Sequence, residues 1–181
     1  MLQTVRAIIN AGAAGINIED STRGRDRSLV EVSVQVEMLR AIREMVQSID
    51  MPLVINARTD VFLLAISDPS GRIEQAVLRG NAYRHAGADC IFPIGLSDAS
   101  TIVALVQAIN GPINILASAT TPSIPELAQL GVARVSLASG PMRAVLGYLR
   151  LIANELRDHG TYMHLTETAI SGAEFRYLFG Q

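Results

Sequence analysis

Two acids and one arginine are the residues best placed to do chemistry. Glu19 and Asp20 close the apolar stretch "GINIED", and Arg58 follows the apolar run in "PLVINARTD". A carboxylate at the end of a buried strand suits a hard cation such as Mg²⁺, which keeps several waters and takes one or two carboxylates. A guanidinium at a neighbouring strand end can clamp a carboxylate or phosphate through two N–H groups and stabilise negative charge as it develops. Successive side chains on a strand point to opposite faces, so Glu19 and Asp20 cannot both line one site. If Ile18 packs against helices, Glu19 is the inward one, and Asp20 is left as a cap or as a partner for the arginines that follow. Arg58 has a plainer alternative, a structural ion pair with Asp60 or Glu19. The segment "STRGRDR", with Arg23, Arg25, Asp26 and Arg27, reads either as a lid over an anionic substrate or as a solvated loop.

Other chemistries are narrowed by what the chain lacks. All 15 of its basic residues are arginines. Without lysine there is no Schiff-base amine and no Walker-type phosphate loop, so every cationic side chain is a guanidinium. The histidines, His85, His159 and His164, have no metal-ligand spacing, which argues against zinc. Cys90 is the single cysteine, so no internal disulfide forms; a buried, inert thiol in a reducing cytoplasm is expected. A formal net charge of -2 with 49% hydrophobic residues fits a globular chain and gives no reason to expect nucleic acid. No apolar run is long enough to span a membrane, and the N-terminus does not read as a signal peptide.

The elements that must position these residues alternate. "GINIED", "PLVINARTD", "CIFPIG", "GPINILA" and "VARVSLA" read as five short strands. Between them lie helical spacings: Val32, Val36, Leu39, Ile42 and Val46; then Ile73, Ala76, Val77, Gly80 and Tyr83; then Ile102, Leu105, Val106 and Ile109, capped by Ser97 or Asp98. "SIPELAQLG" makes a short helix with Pro125 in its first turn. The longest helix carries Val145, Leu149, Ile152 and Leu156 and ends at Gly160. The tail from Thr161 to Gln181 reads as one more helix. This is the rhythm of a parallel α/β sheet, expected as one domain over residues 1–181 with a helical tail over 161–181. Polar residues gather at the C-terminal ends of several strands: Asn56, Arg58 and Asp60, Ser118 and Thr120, Ser136 and Ser139. That favours a (β/α) barrel over a doubly wound sheet, because no G-x-G-x-x-G turn follows the first strand. A barrel needs eight strands and five are found, so a partial barrel is expected. An open-sheet nucleotide or flavin binder is the weaker alternative.

At these residues the chain resembles the isocitrate lyase and phosphoenolpyruvate mutase superfamily. "AGAAGINIED", "INARTD", "AGADCIFP" and "LGVARVSLASGPMRA" carry the likeness, in the family's order, up to about Arg150. The resemblance implies a (β/α)8 TIM-barrel fold and a homo-oligomer, often with a C-terminal helix exchanged between subunits. It implies a Mg²⁺-dependent lyase, hydrolase or phosphonomutase-type isomerase that makes or breaks C–C or P–C bonds of small 2-oxo or 2-hydroxy acids through an enolate. Glu19 matches the acid that holds metal-bound water. Arg58 matches the arginine that contacts substrate; Asn56 and Ser118, polar residues at strand ends, are expected as further substrate contacts on their position alone. Thr22, Arg23, Gly24 and Arg25 fall in the gating loop. Two departures qualify this. The chain begins near the family's fourth strand, so the aspartate-rich segment that supplies other metal acids is not among the 181 residues. The loop also lacks the Lys-Lys-Cys-Gly-His type motif of the lyases, which argues against isocitrate or methylisocitrate cleavage by that route. The rival expectation is a catalytically inactive fragment or scaffold of the same fold.

Overall fold

A computed structural model describes residues 1–181 apart from 23, 25, 26, 50, 168 and 181. The described chain divides into two compact units, Met1–Ser136 and Leu137–Gln181, a break 24 residues earlier in the chain than the tail boundary expected at Thr161. No helix among the described residues is long and apolar enough to cross a membrane.

The first unit is α/β with parallel strands. Its elements run α1 (Leu2–Asn10), β1 (Gly15–Glu19), α2 (Val32–Ser48), β2 (Val54–Thr59), α3 (Pro69–His85), β3 (Cys90–Pro93), α4 (Ala99–Ala108), β4 (Asn114–Leu116), α5 (Ile124–Gln129) and β5 (Arg134–Ser136). β1, β2 and β3 pair in that order, and β4 pairs with β5, all in parallel. A single bridge between Ile91 and Ile113, with Ile91 N donating to Pro112 O at 2.9 Å, ties β3 to the start of β4. The five expected strands are therefore present, but as sheets of three and two. Among the described residues they do not close into a barrel. α1 went unread in the sequence, where the small-residue run after it hid a helix that buries only Val5 and Ile9.

Alternation along the strands sorts the side chains. Ile18, Ile55, Ala57 and Ile91 are buried in the apolar core with Leu39 and Ile42 of α2 and Ala76 and Tyr83 of α3. Helices cover that face, and the strands β1 and β2 accordingly alternate apolar and polar residues. The register Asn17↔Asn56↔Cys90 and Glu19↔Arg58↔Phe92 puts the polar residues together on the other face. Close packing is enforced at Gly80 of α3, where an added Cβ would stand 2.7 Å from Ile109 Cδ1. Helix starts follow local chemistry: Asp98 Oδ1 accepts from Thr101 N at 2.9 Å, and Glu126 accepts from both the backbone N–H and the hydroxyl of Ser123.

The second unit holds α6 (Gly140–His159), α7 (Met163–Glu167) and α8 (Gly172–Leu178). The single helix expected for the tail is two short ones. Gly160, in the left-handed region at φ 65°, ends α6. Val145, Leu149 and Leu156 of α6 are exposed, as are Phe175 and Tyr177 of α8.

Candidate active site

The C-terminal ends of β1 and β2 bring four charged residues together. Glu19 and Arg58 are paired in register, and Arg58 Nη1 stands 3.2 Å from Glu19 Oε2. Arg58 also grips Asp60 with its fork, Nε donating to Oδ1 at 2.6 Å and Nη2 to Oδ2 at 3.1 Å. Both partners in the plainer reading of Arg58 are thus real. Asp60 is fully buried and also accepts from the Ser21 hydroxyl at 2.6 Å and from Arg27 Nη2. The Arg58 guanidinium is about one-fifth exposed and Glu19 just over one-third. Both border a cleft of about 640 Å³ that also touches Asn17, Ser21, Thr22, Gln35 and Phe92.

Asp20 points the other way. Its Oδ2 accepts from Tyr83 Oη at 2.8 Å and Arg79 Nη1 at 3.2 Å, and its Oδ1 from the backbone N–H of Asp60 at 2.9 Å. The same Arg79 nitrogen donates to Val30 O at 2.9 Å. Burial, followed by the charge of Asp20, pushes the Tyr83 phenol well above its ordinary range, so its proton stays available for the Asp20 bond. Among the described residues the arginine that pairs with Asp20 is Arg79 of α3.

The remaining expected residues fall in several places. Asn56 lies one strand step below Arg58 on the same face, 2% exposed; its Nδ2 donates to Asn17 Oδ1, and its own Oδ1 has no partner among the described residues. Ser118 follows β4, its hydroxyl within 2.8 Å of Thr121 Oγ1, and it does not border the cleft. Thr22 closes the base of its loop: its N–H donates to Ser28 O at 2.8 Å and its Oγ1 accepts from Ser28 N at 3.0 Å. Gly24 has φ 124°, a conformation that favours glycine. Arg23 and Arg25 lie outside the described residues. Cys90 is buried, which raises its thiol and keeps it protonated at neutral pH.

Arg79 and Gln35 were not foreseen as contributors to the site; Asp60 was expected only as a pairing partner of Arg58, and Arg27 only as part of a lid or solvated loop. Gln35 sits on α2 between Val32 and Leu39, on the helix's apolar side. It is wholly buried, and neither amide atom has a partner among the described residues. A polar residue in the middle of an apolar stripe was the available signal for both Gln35 and Arg79.

A metal finds limited support. Among the described residues no group of three His, Cys, Asp or Glu could hold an ion. Asp20 and Asp60 are both buried and already accept from several donors. Among the described residues of the site, Glu19 offers the open carboxylate, which fits a Mg²⁺ completed by substrate oxygens and water.

The chain is similar to proteins already known. The family described as phosphoenolpyruvate phosphomutase matches residues 1–157. The 2-methylisocitrate lyase of Escherichia coli (strain K12) is 31% identical over 176 residues, covering 92% of this chain and 57% of that protein. A solved chain from Burkholderia cenocepacia J2315 superposes with TM-score 0.88 at 32% identity, over 99% of this chain and 64% of that one. A phosphonopyruvate hydrolase solved with oxalate and Mg²⁺ gives TM-score 0.80 at 25% identity, over 99% of this chain and 63% of the other. The chain thus spans roughly three-fifths of the length of these relatives.

Proposed function

The chain belongs to the phosphoenolpyruvate phosphomutase family, and on that premise we propose that it serves a Mg²⁺-dependent enzyme acting on a small 2-oxo or 2-hydroxy acid. The reaction makes or breaks a C–C or P–C bond next to the carbonyl. One observation carries this: an open carboxylate and a half-buried guanidinium meet at adjacent strand ends over a cleft, 3.2 Å apart.

Each residue has a separate task. Asp60 fixes the guanidinium plane of Arg58 through Nε and Nη2, so the Nη1 edge is presented to the cleft without reorganisation. In the resting site that edge rests on Glu19. When substrate arrives, Nη1 passes to its carboxylate or leaving group and stabilises the charge that appears as the bond breaks to an enolate. Glu19, freed from Arg58, would hold Mg²⁺, which would supply Lewis acidity to the oxo and carboxylate oxygens. Asn56, on the strand face of Arg58 and with its Oδ1 unpartnered among the described residues, serves as a further substrate contact; Ser118 stands off the cleft and has no such task. Thr22, Arg23, Gly24 and Arg25 serve as the gate that excludes water.

Titration calorimetry with oxalate, a mimic of the planar oxo-carboxylate end, tests this reading. Oxalate is expected to bind only with Mg²⁺ present, and Glu19→Gln is expected to abolish that binding. A wild-type chain that takes up neither ion at millimolar concentration would favour a non-catalytic scaffold.

A further inference from the structure

We propose that Arg27 selects substrates carrying a second anionic group, an inference that rests on the 2-oxo-acid reading of the cleft. The observation behind it is an overloaded oxygen. Asp60 Oδ2 takes three donors: the Ser21 hydroxyl at 2.6 Å, Arg58 Nη2 at 3.1 Å, and Arg27 Nη2. A carboxylate oxygen has two lone pairs, so three donors cannot all be held at full strength. The two guanidiniums differ in how firmly they are bound. Arg58 uses two nitrogens on both oxygens of Asp60, whereas Arg27 reaches Asp60 through a single nitrogen that it also shares with Ser21 Oγ at 2.7 Å. The Arg27 side chain is the more open of the two, 34% exposed against 20%.

Arg27 is therefore the donor that can leave at least cost. If it goes, Asp60 keeps Arg58 and Ser21, and no buried charge is stranded. Ser21 borders the cleft beside Glu19 and Arg58, so the guanidinium of Arg27 stands one hydrogen bond behind the cleft wall. An acid whose far end carries a carboxylate or phosphonate offers that guanidinium a two-pronged partner in place of its one-nitrogen bond. An acid ending in a methyl group offers nothing, and Arg27 stays on Asp60. Arg27 sets specificity and touches no reacting atom.

Two probes separate the ends of the substrate. Oxalate fills only the chelating end, and malate, a 2-hydroxy acid, adds a carboxylate at the far end. In calorimetry on the full chain with Mg²⁺, Arg27→Ala is expected to weaken malate about tenfold or more and oxalate less than about twofold. Arg27→Gln keeps a donor for Asp60 and Ser21 without the charge, and should show the same selective loss if Arg27→Ala folds poorly. Equal losses on both probes, no loss on malate, or wild-type protein that binds oxalate but not malate would overturn the role of Arg27. Wild-type protein that binds neither probe rejects the 2-oxo-acid reading itself.

Discussion

Glu19 and Asp20 are neighbours in the chain with opposite surroundings. Asp20 is sealed against α3, where a guanidinium, a phenol and a backbone N–H occupy both oxygens. Glu19 lies on the cleft side, 37% exposed, against Arg58. Strand alternation alone produces the split. Its consequence is a division of labour. A carboxylate saturated by buried donors cannot take a new ligand without stranding charge, whereas an open one can exchange its partner for an ion or substrate while water covers the change. On the proposed reading, scaffold and chemistry fall to two successive residues.

The sharpest way to break this contrast is to remove each acid in turn. Asp20→Ala leaves Arg79, whose side chain is 7% exposed, without its counter-ion, and should cost about 3–5 kcal/mol in urea unfolding. Glu19→Ala should cost about 1 kcal/mol or less, as for an exposed pair. Similar losses for both would erase the distinction. Arg58 bridges the two kinds of environment, since it is tied to buried Asp60 and open Glu19 together. Arg58→Ala should lower turnover of an accepted 2-oxo acid by about 10²–10³-fold, comparable to the loss of other charge-stabilising donors. Arg58→Lys keeps the charge but not the fork, and should recover only part of that rate; full recovery would show that Asp60 does not orient the group.

Much of this arrangement was legible before the fold. The inward turn of Glu19 followed from burying Ile18, and the meeting of Glu19 with Arg58 followed from two strand ends in one parallel sheet. The partners of Asp20 were not legible. Tyr83 was counted among the apolar positions of its helix, and Arg79, four residues earlier, was passed over. Yet the i, i+4 spacing places a guanidinium and a phenol side by side on one helix face, which is how both reach Asp20. α1 was missed because nine residues that bury two side chains give a weak periodic signal. The division after Ser136 was not legible either, since no composition shift marks it.

A third carboxylate sharpens the comparison from the other unit. Glu155 of α6 is as enclosed as a structural acid should be, yet its donors are the Thr161 hydroxyl at 2.7 Å, the backbone N–H groups of Met163 at 2.7 Å and His164 at 2.9 Å, and His164 Nδ1 at 2.7 Å. No arginine among the described residues is involved. A carboxylate only accepts, so the His164 ring must carry its proton on Nδ1. These bonds, the Thr161 hydroxyl foremost, hold Glu155 down to about 2 from its ordinary 4.5. A depressed folded value means that the stabilisation is fully present above about pH 4.5 and is lost as pH falls towards 2. Glu155→Gln removes the titration and turns an amide N–H₂ towards donors that need an acceptor. The variant should therefore melt below wild type at pH 6, with the gap between their circular-dichroism transitions narrowing at pH 3. The loss at pH 6 should be smaller than that of Asp20→Ala, because His164 is 41% exposed and donors freed there can turn to water, a route closed to Arg79. A gap that stays constant across this range would mean that Glu155 is held by packing, and that its hydrogen bonds to the α7 start contribute little.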